Sequence, residues 1–158
     1  LRVYNAILQG IRQVDPEATQ CYLAYHDTNA CPQRVEPEPG IFLQYAPFER
    51  EHDKPLADPL SQRNRKEISQ LRQLLEYFGP EDAQVLDYWL DNSLFSDWKK
   101  PPKPFGLHRA VLRQDLALYR ELGFDHVMTF ACYLGEEYRA LYGNSPDIAV
   151  YARDLEVM

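Results

Sequence analysis

"QCYLAYHDTNACPQRVEPEPGIFLQYAPFER", residues 20–50, holds two short apolar and aromatic runs joined by a proline-rich stretch with no helical period. Each run has the length and the Tyr, Phe, Ile and Leu content of a strand. Each also stops abruptly at ionisable side chains, the first at His26 and Asp27 and the second at Glu49 and Arg50. The pattern recurs in "VLDYWLDNS", which ends at Asp91 and Asn92. Three such endings in a chain of 158 residues point to strands that finish on one shared rim.

Around these runs the chain alternates. "RVYNAILQGIRQV" places Val3, Ile7, Leu8, Ile11 and Val14 at helical spacing, and Asp15-Pro16 closes it. "NRKEISQLRQLLEYFG" is a helix with Ile68, Leu71, Leu74, Leu75 and Phe78 inward and Gly79 as its stop. "LHRAVLRQDLALYRELG" is another, with Leu112, Leu116, Tyr119 and Leu122 inward and Gly123 as its stop. "HVMTFACYL" is a fourth strand, and "EEYRALYG" and "PDIAVYARDLEVM" read as closing helices. Strands alternating with helices imply parallel pairing through crossovers. Only the first crossover, residues 28–40, has no helix; it is expected to run back extended and irregular.

Alternation within the strands separates two faces. Leu23, Tyr25, Leu43, Tyr45, Leu86, Tyr88, Met128 and Phe130 fall on sides that are bulky and apolar, as helix cover requires. The opposite sides mix small and polar residues, among them Ala24, Gln44, Asp87 and Thr129. A doubly wound sheet would be apolar on both faces, whereas a barrel lined by polar groups toward one end is not. The expected fold is therefore α/β, a single half-barrel domain over residues 1–158, with four parallel strands and helices on one face. The reading places it as the C-terminal half of a (β/α)8 barrel and as a fragment of a larger multidomain protein.

Composition narrows the functions. The net charge is −7, and no Lys/Arg stripe offsets it, so a nucleic-acid surface is not expected. No apolar run approaches a membrane span. The three cysteines form no ligand pattern. Cys21 and Cys31 are separated by a largely extended stretch, too far for a disulfide, so buried free thiols are expected. No glycine-rich phosphate loop, nucleophile elbow or C-x-x-C occurs, and no cofactor is expected. His26, Asp27, Glu49 and Asp91 are residue types that ligate metals, but no H-x-H or H-x-x-x-H spacing supports a centre.

In a (β/α)8 barrel the chemistry sits where the strands end. The candidate catalytic residues are thus the rim carboxylates Asp27, Glu49 and Asp91. His26, Arg50, Trp89, Trp98 and Tyr133 are the candidate substrate-binding residues. Aromatic rings beside carboxylates suit sugars, whose C–H faces stack on rings while their hydroxyls bond to Asp, Glu, Arg and His. Arg50 would suit a uronate, since its fork bonds a carboxylate in two places. Structural readings stand beside these: Asp27 as a turn former, Glu49 and Arg50 as an ion pair, His26 and Trp89 as core, Asp91 as a loop cap.

"YLAYHDT", "FLQYAPFER", "YWLDNSLFSDWKKP" and "TFACYL" resemble the signatures of an uncharacterised bacterial domain family. That family occurs in large proteins beside a module similar to the N-terminal domain of alpha-glucuronidases, and its central domain is a glycoside-hydrolase-like TIM barrel. The resemblance implies a secreted or periplasmic parent protein that handles polysaccharide. In the related alpha-glucuronidases, acidic residues after the fifth and sixth strands serve as base, and Asp27 and Glu49 occupy comparable places. The general acid of such enzymes follows a fourth strand, which this reading does not find. The functional expectation is a glycoside-hydrolase-like half-barrel that acts on or binds carbohydrate and has little activity alone. The alternatives are a non-catalytic carbohydrate-binding barrel and a purely structural fragment. The free sheet edges imply a partner, either the remaining half of a parent barrel or a homodimer mate.

Overall fold

The computed structural model describes residues 1–145 and 147–156. Its elements run α1 (Arg2–Ile11), β1 (Gln20–Ala24), β2 (Ile41–Tyr45), α2 (Gln62–Phe78), β3 (Gln84–Asp91), α3 (Asn92–Phe95), α4 (Arg109–Glu121), β4 (His126–Cys132), α5 (Glu136–Tyr142) and α6 (Asp147–Leu155). Pro146, Val157 and Met158, which the sequence places in the last helix, lie outside the described residues. The four strands form one sheet in the order β1-β2-β3-β4, and every neighbouring pair is parallel. That succession, with the long helices against one face, is the arrangement of half a (β/α)8 barrel.

The core lies between the sheet and its helices. Leu8 of α1, Leu71 and Leu74 of α2, and Leu112, Leu116 and Tyr119 of α4 pack against Tyr22, Ala24, Leu43, Tyr45, Val85 and Trp89. Helical spacing puts these side chains on one stripe per helix, which is why the two long helices were legible. Tyr151 and Leu155 bring α6 to the same core, and Arg109 and Arg113 of α4 clasp the Asp154 carboxylate.

The first crossover is helix-free, as its prolines demand. After β1 the chain makes a single 3-10 turn over His26–Asn29 and then runs extended to β2. α1 packs on both β1 and β2 and lies along this segment. Asn5 Nδ2 donates to the Glu36 carbonyl at 2.8 Å, and Gln9 Nε2 donates to Glu38 Oε1 at 2.7 Å. A helix from before β1 thus sits over the strand pair whose own crossover supplies none.

The expected facing of the strands holds for β2 and is reversed in β1, β3 and β4. Side-by-side residues of parallel strands share a face, and the register sets Ala24 beside Tyr45 and Tyr45 beside Val85. The helices therefore cover Tyr22, Ala24, Leu43, Tyr45, Val85, Asp87 and Trp89. Leu23, Tyr25, Leu86, Tyr88, Met128 and Phe130 line the open face instead. Asp87 is the reason for the misreading. It is a fully buried carboxylate under the helices, and it makes the covered face of β3 look polar.

The cysteines are free thiols, but all three are half-buried rather than buried. Cys132 ends β4.

Candidate functional site

Two concave regions open at the strand ends. The first is a rim cleft of about 320 Å³ lined by His26, Asp27, Glu49, Arg63, Lys66 and Glu67. The second is a hollow of about 460 Å³ on the open face of the sheet. Both volumes fall in or near the range of small-molecule sites.

The rim cleft is shaped by the turn after β1. Thr28 Oγ1 accepts from Tyr25 N at 2.8 Å and has its one proton within reach of both the Leu23 and the Tyr25 carbonyl, so Thr28 rather than Asp27 holds the turn. Asp27 is exposed in the cleft and, among the described residues, has no hydrogen bond or ion pair. His26 turns back, with φ +48°, and its Nδ1 meets Glu49 Oε1 at 2.5 Å. Glu67 forms the floor of the cleft. It receives Tyr45 Oη–H at 2.7 Å, and burial raises its carboxyl pKa.

The hollow is lined by Leu23, Tyr25, Phe48, Leu86, Tyr88, Asp91, Ser93, Trp98, Phe130, Cys132 and Tyr133. Phe48 is the centre of its rings. It stands edge-on to Tyr88 at 5.2 Å and to His26 at 4.7 Å, and it is 6.5 Å from Trp98. The cleft and the hollow therefore share a wall of aromatic contacts. Trp98 stands at the mouth with 62% of its surface exposed. Lys100 Nζ lies over the Tyr133 ring at 5.4 Å. Asp91 caps α3, and both capping bonds, from Ser93 N at 2.9 Å and Ser93 Oγ at 2.5 Å, fall on Oδ1.

Among the described residues five non-glycine residues have positive φ, and four of them, His26, Asp97, Trp98 and Tyr133, follow the ends of β1, β3 and β4. Such backbone costs energy and collects at functional sites. Three of these four line the cleft or the hollow.

Arg50 and Trp89 lie elsewhere. Both point under the helices into a buried ion cluster. Arg50 Nη1 donates to Asp87 Oδ2 at 2.8 Å, and Nη2 reaches Asp115 Oδ2 at 2.8 Å and the Lys54 carbonyl at 2.7 Å. Trp89 Nε1 donates to Asp115 Oδ2 at 2.9 Å, Tyr119 Oη to Asp87 Oδ2 at 2.8 Å, and Leu56 N to Asp115 Oδ1 at 2.6 Å. Burial alone would lower the guanidinium pKa, but the two carboxylates outweigh it and hold Arg50 charged. Burial raises the Asp115 carboxyl against the pull of Arg50. With its side chain 1% exposed, Arg50 is out of reach of any ligand in the cleft. Glu49 pairs with His26, not with Arg50.

The structure thus brings His26, Asp27 and Glu49 into one cleft, and Asp91, Trp98 and Tyr133 into the neighbouring hollow. Tyr25, Phe48 and Tyr88 join them unforeseen. Tyr25 and Tyr88 were legible as strand aromatics but fall on the face taken for core, and Phe48 carried only the Ala-Pro-Phe break after β2 as a signal. Among the described residues no three His, Cys, Asp or Glu converge as metal ligands, and no helix is long and apolar enough to cross a membrane. No protein-family model matches the chain, and no curated protein or solved structure matches it.

Proposed function

We propose that the chain binds carbohydrate in the aromatic hollow, as half of a glycoside-hydrolase-like barrel. The observation that carries this reading is Trp98, exposed at the mouth and held there by left-handed backbone, above a wall of Tyr25, Phe48, Tyr88 and Tyr133. Ring faces take the C–H faces of a sugar, and a few polar groups fix its hydroxyls. Asp91 Oδ2, free of the capping bonds, and Ser93 are those groups here. The resemblance to barrels found beside alpha-glucuronidase-like modules supports the same ligand class and an extracytoplasmic parent protein.

Asp27 and Glu49 would act as base or electrostatic groups on a sugar reaching from the hollow over Phe48 into the cleft. The cations that would hold a uronate there are Arg63 and Lys66, which line the cleft as Arg50 does not. The third carboxyl lining the cleft, Glu67, is already engaged by Tyr45 Oη at 2.7 Å, so binding without turnover is expected of the chain alone.

The chain has two tryptophans, one buried and one exposed, which makes the test simple. Titration with neutral and uronate oligosaccharides is expected to quench the exposed tryptophan. Trp98→Ala is expected to weaken binding by about tenfold or more, with Trp89 still reporting a folded chain. Saturable binding that Trp98→Ala leaves intact would remove the hollow as the site. Robust hydrolysis of aryl glycosides by the chain would overturn the binding-only assignment.

A further inference from the structure

We infer that the ligand of the hollow is a chain of sugars, held along its length on both sides of the rings rather than by its end. The inference rests on the carbohydrate reading above and extends it to a third opening, which adjoins the hollow beyond β4.

That opening is a pocket of about 250 Å³, with Lys100, Tyr133, Gly135, Glu136 and Glu137 among its lining. Tyr133 also lines the hollow, so one ring faces both. Lys100 Nζ, which lies over that ring, pairs with the Glu137 carboxylate. Glu136 is exposed and, among the described residues, has no hydrogen bond or ion pair. An ammonium and two carboxylates offer hydroxyls both donors and acceptors. Gly135 leaves the pocket unfilled: a Cβ placed there would meet no atom within 4 Å.

The hollow has the same relation to the rim cleft on its other side. Phe48, a wall of the hollow, stands edge-on to His26, which lines the cleft. Three concave regions of about 320, 460 and 250 Å³ therefore follow one another along the strand ends, charged, aromatic and charged in turn. The hollow is bounded on both sides by rings that also face a further opening, so neither side closes off a chain end. Four strands side by side span three spacings of about 4.8 Å, roughly 14 Å in all, which is wider than one pyranose ring. A monosaccharide fills one of the three regions, and only a chain reaches all of them.

The backbone marks the same row. His26 (φ +48°) stands in the cleft, Asp97 (φ +54°) and Trp98 (φ +53°) at the mouth of the hollow, and Tyr133 (φ +57°) between the hollow and the third pocket. Left-handed backbone is costly for such residues and is kept where it places a side chain for use. Here it recurs at both ends and at the middle of one line.

The test is the dependence of affinity on chain length. Quenching of the exposed tryptophan is titrated with β-1,4-gluco-, xylo- and manno-oligosaccharides and with oligogalacturonates, each from monomer to hexamer. In the series that binds, affinity is expected to rise at least about tenfold from monomer to tetramer and then to level off. Gly135→Leu, which fills the third pocket, and Glu137→Gln, which breaks its ion pair, are each expected to collapse the ratio of long-chain to short-chain affinity. Trp89 reports whether either variant has lost its fold. Equal affinity from monomer to hexamer overturns this inference and leaves the carbohydrate reading standing. A rise with length that neither variant reduces overturns the third pocket as part of the site. Quenching by no member of any series removes the carbohydrate reading, and this inference with it.

Discussion

At the scale of single residues, Arg50 decides more than any other. Among the described residues it is the one cation paired with Asp87 and Asp115, and its removal leaves two buried carboxylates uncompensated. Breaking such a buried pair from one side costs about 3–5 kcal/mol, so Arg50→Met is expected to lose that much in denaturant unfolding. The triple change Arg50→Met, Asp87→Asn, Asp115→Asn is expected to recover part of it, because no bare charge remains. His52 gives a pH signature. Burial lowers its pKa from 6.5, with Asp87 and Asp91 opposing and Arg50 adding to the effect, and its Nε2–H donates to the Phe48 carbonyl at 3.0 Å. A lowered histidine pKa means that the unfolded chain takes up a proton the folded chain refuses. Stability is therefore expected to fall as pH falls through 6.5. Thermal melts of His52→Gln, which keeps the donor but cannot titrate, are expected to lack that part of the pH dependence.

At the scale of elements, the start of α2 fixes the loop that carries Glu49 and Arg50. Ser61 Oγ accepts from Asn64 N at 3.1 Å and caps the helix. The Asn64 side chain, fully buried, accepts from Glu51 N at 2.7 Å and donates to the Pro55 carbonyl at 2.9 Å. Asn64→Leu strands these loop groups, each worth about 1–3 kcal/mol when buried and unpaired. The expected result is a loss of several kcal/mol and faster protease cleavage between residues 50 and 60, measured beside Ser61→Ala, which removes only a cap of about 1 kcal/mol. The elements themselves were legible in the sequence. Leu71, Leu74, Leu112 and Leu116 recur at helical spacing, and the prolines of residues 28–40 forbid a helix there. The facing of the strands was not legible, because period-2 alternation gives two faces and not which one is covered. Asp87 and Ala24 look like an open face, and only the distant Arg50 and Asp115 make Asp87 a core residue. The same ambiguity hid Tyr25 and Tyr88, while Asp91, Trp98 and Tyr133 stood out because they follow strand ends.

At the scale of the whole molecule, the sheet ends on two strands, β1 and β4, that carry no charged residue and no proline. The buried ion cluster also has a consequence for how fast the molecule folds and comes apart. Its contacts join a loop after β2 to β3 and α4, spanning 37 residues from Arg50 to Asp87 and 59 from Leu56 to Asp115. Contacts of such separation carry a large closure entropy and need both strand and helix already in place. They belong on the native side of the folding barrier. Arg50→Met is then expected to leave the refolding arm of the chevron nearly unmoved at low protein concentration and to raise the unfolding arm by nearly its whole stability loss. A slowed refolding arm would place the cluster in the nucleus instead. Formed late, these charges lengthen the lifetime of the native chain without guiding it there.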